Sequence, residues 1–163
     1  MLFSARLAAG TPFTVVLRPP SGKSWKEDAM PLKTKRWNDP RKKSDRLRIL
    51  VCRYRPRGVK KSDETWDQWY PELGPSRELH ADYYGKHGPP ISWKEYRQRY
   101  LQEMEAQHEL IEELARLVAE GRTITLLCSS ACTKASRCHR TLLRHLIEEK
   151  LNSSAATSSQ TKC

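Results

Sequence analysis

Apolar residues in this chain fall into short dense runs separated by longer stretches with helical spacing. Leu32–Trp37 alternates apolar and basic residues, which predicts a short strand ended by Asn38-Asp39-Pro40. Arg41–Arg46 reads as a charged turn. Within Arg48–Tyr54, the run Ile49–Cys52 has no polar alternation and two β-branched residues, the pattern of a strand covered on both faces. Arg55-Pro56-Arg57-Gly58 stops it. Ser62–Trp69 reads as a short helix, with Ser62 as cap and Trp66 and Trp69 on one side. Ser76–Tyr84 reads as another, capped by Ser76. Ser92-Trp93-Lys94-Glu95 is a capping box that opens a long helical pattern. Trp93, Tyr96, Tyr100, Met104, Ile111, Leu114, Leu117 and Val118 keep helical spacing, with a break near Ala106–His108 and Gly121 at the end. Thr123–Cys128 is the second buried strand. A loop, Ser129–Arg137, leads into an amphipathic helix, Cys138–Leu151.

Strands separated by helices imply parallel pairing with right-handed crossovers. The expected fold is a single small α/β domain, with a short, mainly parallel sheet flanked by helices. At 163 residues the chain suits one domain. Residues 1–29 read as an extraneous or disordered extension with Met30 as the true start, 30–151 as the domain, and 152–163 as a disordered Ser/Thr-rich tail.

Charge changes the picture through its placement. The formal net charge is +11, and Pro31–Lys61 holds thirteen Lys or Arg against Asp39 and Asp45, so this segment carries the whole excess. Such a local excess suits an anionic partner, either a small phosphate-bearing molecule or nucleic acid; the plainer alternative is a solvated surface. No stretch approaches the roughly 18 apolar residues of a membrane span. The five cysteines are odd in number, and Cys52 and Cys128 lie in apolar strand patterns. That argues against a secreted disulfide framework and for a reducing cytoplasm with free thiols or a metal site.

Ligands of open parallel sheets bind beyond the carboxyl ends of the strands. Here those ends lead into Arg53-Tyr54-Arg55-Pro56-Arg57 and Cys128-Ser129-Ser130-Ala131-Cys132, and the helix that follows begins at Cys138-His139-Arg140. A helix start favours anions and thiolates. The candidate ligand-binding residues are therefore Arg53, Arg55, Arg57, Cys128, Ser129 and Arg140. Cys138 is the candidate nucleophile and His139 the candidate acid–base group. Cys128-x3-Cys132-x5-Cys138-His139 also offers three sulfurs and an imidazole to a tetrahedral zinc. A third reading is a non-catalytic nucleic-acid module built on the basic segment with Trp37 and Tyr54. Cys52 and Cys128 can equally be core residues. His80, His87, His108 and His145 have no partner at telling spacing and read as surface or core.

Several motifs together resemble the uncharacterised bacterial YeaO family. They are Asn38-Asp39-Pro40, Arg48-Ile49-Leu50-Val51, Arg53-x-Arg55-Pro56-Arg57-Gly58-Val59-Lys60-Lys61, Trp66-x-x-Trp69, Gly74-Pro75-Ser76-x-Glu78-Leu79, Trp93-x-x-Tyr96-x-x-x-Tyr100 and Thr123–Leu127. Their order agrees, and the likeness runs from about Lys33 to Lys150. The resemblance implies a compact α/β fold and no established reaction. It also implies that the histidine position is kept more often than the cysteine before it, which favours His139 over Cys138. This chain departs from the pattern at Cys52, where relatives carry an acid, and at Arg55, where they carry tryptophan.

Overall fold

The computed structural model describes residues 31–158. Four strands form one parallel sheet: β1 (Leu32–Arg36), β2 (Leu47–Leu50), β3 (Gln68–Trp69) and β4 (Ile124–Cys128), in the order β1-β4-β2-β3. The helices are α1 (Arg77–Tyr83), α2 (Trp93–Glu105), α3 (His108–Ala119) and α4 (His139–Ser158). β4 sits between β1 and β2, and all five of its residues are buried. That position explains why it is apolar but for Thr125.

Side chains alternate across the sheet, and the two faces differ in kind. Leu32, Ile49, Val51, Ile124 and Leu126 meet Leu79 of α1, Tyr96, Tyr100 and Met104 of α2, Ile111, Leu114 and Val118 of α3, and Leu142, Leu143 and Ile147 of α4. The helices therefore cover one face. The opposite face carries Lys33, Lys35, Arg48, Thr125, Leu50 and Leu127, as the register requires. It is covered by irregular chain instead: Leu50 and Leu127 join Trp66, Trp37 and Val59, and the link between β1 and β2 lies beside the charged part.

That link contains a single turn of 3₁₀ helix, Lys43–Asp45, and Asp45 is fully buried. Its carboxylate accepts from Lys35 Nζ at 2.7 Å, from Arg48 Nη1 at 2.9 Å and from the Lys42 backbone at 3.0 Å. Its carbonyl accepts from Thr125 Oγ1 at 2.9 Å. Arg48 is also fully buried, and its Nη2 reaches the carbonyls of Trp37 and Asp39. The expected charged turn is thus an ionic core for one face of the sheet.

Ser76 and Ser92 cap α1 and α2 by accepting from Leu79 and Glu95 N–H, and the helical stretch breaks at Ala106–Gln107 as its pattern predicts. The helix expected over Ser62–Trp69 does not form. Only Lys61–Asp63 makes a 3₁₀ turn, after which the chain extends and Gln68–Trp69 pairs with β2. The open edge of β2 decides this: Asp67 N–H donates to Arg48 O, Tyr70 N–H donates to Leu50 O, and the Asp67 carboxylate accepts from Arg48 N–H. These strand bonds outweigh a weak local helix preference. α4 continues past Leu151 to Ser158, into the stretch expected to be a tail; the 1–29 extension and residues 159–163 lie outside the described residues. Among the described residues no helix is long and apolar enough to cross a membrane.

Candidate functional site

Because β2 and β4 are parallel neighbours, the segments leaving them emerge side by side. Cys52-Arg53-Tyr54 and Cys128-Ser129, with Cys132, line one cleft of about 130 Å³. Arg137, Cys138 and His139 close it from the start of α4, and Pro75, His80, Tyr83, Tyr84 and Tyr96 from α1 and α2. Arg53, Cys128, Ser129, Cys138 and His139 therefore converge as their spacing implies. Apart from Tyr54, named only as a stacking residue of a nucleic-acid module, the aromatic wall was not foreseen, nor were Cys52 and Arg137 as cleft residues. His80 had no sequence signal, since its neighbours Tyr54 and Tyr84 come from other segments or from the far end of its own short helix.

The remaining predicted residues lie elsewhere. Arg55 bonds the Glu64 carboxylate at 2.7 Å and Val59 O at 2.8 Å, with its guanidinium 5.7 Å from the Trp66 ring centre. Arg57 is exposed and lies outside the cleft lining. Arg140 is buried, and its Nε and Nη1 have no hydrogen-bond partner among the described residues. Part of the basic segment is paired within the chain, Lys35 and Arg48 with the buried Asp45, and Arg36 with Asp39, Arg41 with Asp67, and Arg55 and Lys61 with Glu64 nearer the surface.

Four sulfurs line the cleft's inner wall. Cys128 Sγ lies 3.3 Å from Cys132 Sγ and 3.9 Å from Cys52 Sγ. The sulfurs of Cys128, Cys132 and Cys138 are all within 4.8 Å of one another. Cys128 and Cys138 are buried, whereas Cys132 is half-buried. S–H hydrogen bonds from Cys128 and Cys138 favour a charged Cys132 sulfur and hold its thiol well below the ordinary range, although burial opposes this. Its own bonds to Cys132, Cys138 and Cys52, with burial, push the Cys128 thiol up. Cys138 accepts from Cys128, which pulls it down, but its own bond to Cys132 and its burial leave it raised. The thiol that favours ionisation is therefore Cys132.

His139 is anchored rather than free. Its Nε2 donates to Val51 O at 2.8 Å, and its ring packs 5.6 Å from Tyr100. Burial, the largest influence, keeps it neutral by lowering its pKa despite the Val51 bond. Cys128 Sγ lies 3.8 and 3.9 Å from the two ring nitrogens, so neither is singled out as an in-line partner. Three sulfurs thus form the mutual cluster that could hold a metal, and His139 is not one of that set. A tetrahedral zinc with bonds of about 2.3 Å needs sulfurs about 3.8 Å apart, a spacing this cluster can meet with small shifts.

The family described as "Active DUF488-N3 subclade" matches residues 32–151. The chain is 39% identical over 104 residues to "Uncharacterized protein YeaO" of Escherichia coli (strain K12), an overlap covering 64% of this chain and 87% of that protein. No solved structure matches the chain.

Proposed function

This chain belongs to the DUF488-N3 family, and from that premise we propose that it binds a small anionic molecule in the strand-end cleft and acts on it through the Cys132 thiolate. The observation that carries the reading is the half-buried Cys132 sulfur at the cleft, receiving a hydrogen bond from Cys128 at 3.3 Å. Cys128 and Cys138 act as thiol donors that hold the charge. His139, neutral and tied to Val51 O, fixes the start of α4 against the end of β2. Arg53 and Arg137, both in the cleft lining, receive the anion. Internal pairing of Lys35, Arg36, Arg41, Arg48, Arg55 and Lys61 leaves fewer free cations for a nucleic-acid track, which favours the cleft over a purely basic module.

Alkylation tests this directly. Cys132 sulfur displaces iodide from iodoacetate or iodoacetamide, forming an S–C bond as the C–I bond breaks. Cys132 should be the first residue labelled, with a rate that persists below the ordinary thiol range near pH 8.5. The anionic reagent should outpace the neutral one, and Arg53→Ala should abolish that preference. Equal labelling of several cysteines, or a preference for the neutral reagent, would remove the reading.

The mutual spacing of the three sulfurs supports a second reading, in which Cys128, Cys132 and Cys138 hold a zinc ion and leave one position for an outside ligand. Protein purified under reducing conditions without an affinity tag would then carry about one zinc per chain, lost in Cys132→Ser. Metal-free protein with a reactive Cys132 returns the assignment to thiol chemistry.

A further inference from the structure

The cleft has two walls of different chemistry. One is sulfur. The other is aromatic, with the His80 ring 5.3 Å from Tyr54, which meets it edge-on at 80°, and 4.7 Å from Tyr84, tilted by 42°. Tyr83 stands behind it, 5.5 Å from Tyr84 and 4.5 Å from Tyr96. Tyr54 and Tyr84 are 48% and 52% exposed, and with Trp69 they are the exposed large hydrophobic residues among those described. Two of the three therefore flank one histidine at one cleft. Rings left in water beside a pocket are suited to stacking, and sulfur on the facing side suits an aromatic edge.

Size and charge narrow the occupant. The cavity is about 130 Å³, close to the roughly 150 Å³ that accepts one benzene. The enclosed part matches one six-membered ring, and any arm on that ring lies in the open mouth between the exposed Tyr54 and Tyr84. Arg53 Nε donates to Pro75 O at 2.8 Å and its Nη2 to Gly74 O at 3.3 Å. These bonds fix the guanidinium while leaving most of its five N–H donors unclaimed. Arg137 adds a second cation to the lining.

We propose that the ligand is a single six-membered aromatic ring bearing an anionic group, as in a pyrimidine nucleoside monophosphate or an aryl phosphate. Its ring packs against the aromatic wall beside Tyr84 and His80, and its anionic arm meets Arg53 and Arg137. This rests on the cleft being the ligand site, and it adds the ligand's class.

Calorimetric titration of the full chain with cytidine monophosphate, phenyl phosphate, adenosine monophosphate, ribose 5-phosphate and inorganic phosphate tests it. The two single-ring phosphates should bind at least about ten-fold tighter than ribose 5-phosphate and inorganic phosphate, and tighter than the purine nucleotide. Tyr84→Ala, at an exposed position that leaves the melting temperature in place, should erase about ten-fold of that advantage. Equal binding of ring-free phosphates would overturn the ring while keeping the anion site. Equal or tighter binding of the purine nucleotide would overturn the size argument. Binding of none of the five would overturn the ligand-site reading itself.

Discussion

Replacing Asp45 by asparagine removes one charge from a place that water does not reach. Asp45 and Arg48 are both fully buried, and their 2.9 Å contact is supported by Lys35 at 2.7 Å. Asparagine keeps the volume and one acceptor oxygen for the Lys42 N–H and Arg48, but sets an NH2 donor against Lys35 Nζ, so the charge and that hydrogen bond are lost together. Breaking a buried pair by removing one partner costs about 3–5 kcal/mol, because the surviving charge stays desolvated. Lys35 is partly exposed and can turn to water, whereas Arg48 cannot. Against the 5–15 kcal/mol of a typical domain this is a large fraction, and it should lower the melting temperature by roughly 10–20 °C. Urea denaturation followed by tryptophan fluorescence measures it. Asp45→Asn combined with Arg48→Met should recover part of the loss, since the uncompensated Arg48 charge is gone while the Trp37 and Asp39 carbonyls lose their donor. The pH dependence follows the same sign. Burial works against the Asp45 charge, but the Lys35 hydrogen bond, the Lys42 N–H and the charges of Lys35 and Arg48 outweigh it and hold the carboxyl below its ordinary range. Its contribution is therefore complete above the unfolded value of about 3.9 and is lost as pH falls through the folded one. An Asp45→Asn protein within about 1 kcal/mol of wild type would refute the ionic-core argument, and the cations of this segment would return as candidates for a ligand surface.

Three further outcomes follow from the contacts around the cleft. Burial lowers the His139 pKa, so stability should be complete above about pH 6.5 and fall as pH drops through the lower folded value; a urea midpoint that is flat across that window would contradict a buried neutral imidazole. Tyr100→Phe removes the donor to Leu73 O at 2.8 Å in a fully buried setting and should cost about 1–3 kcal/mol in urea denaturation, with the cleft intact. Gly74→Ala would place a Cβ 2.4 Å from Arg53 N and 2.9 Å from the Cys52 carbonyl carbon. Because these neighbours are backbone, the Arg53 loop must shift, and both melting temperature and the iodoacetate preference should fall; a variant unchanged in both would mean that Gly74 does not hold Arg53 in place.

Local pattern was enough for the elements whose cause is local. Ile49–Cys52 and Thr123–Cys128 read as buried strands from their dense apolar residues, and the strands form at Leu47–Leu50 and Ile124–Cys128, with Arg48 and Thr125 as the polar residues of the second face. Ser76 and Ser92 marked helix starts because a hydroxyl there satisfies a backbone N–H within its own turn. The meeting of Arg53, Cys128, Cys138 and His139 was also legible, since parallel strands send their ends to the same edge. What depended on distant partners was not legible. Trp69 joined the sheet because β2 had an unpaired edge, with its Nε1 donating to Cys52 O at 2.9 Å. The charge excess of Pro31–Lys61 suited an anionic partner or a solvated surface until folding placed Asp45 over Arg48 and Lys35, because sequence records the sign of a charge and not its burial. Residue identity likewise named the thiols without ranking them: Cys132 becomes the one favoured as a thiolate only when Cys128 and Cys138 donate to it. The aromatic wall joins Tyr54, from the segment after β2, to His80 and Tyr84 of α1 and its end. Such contacts are set by packing across the whole domain, and only the tertiary structure decides them.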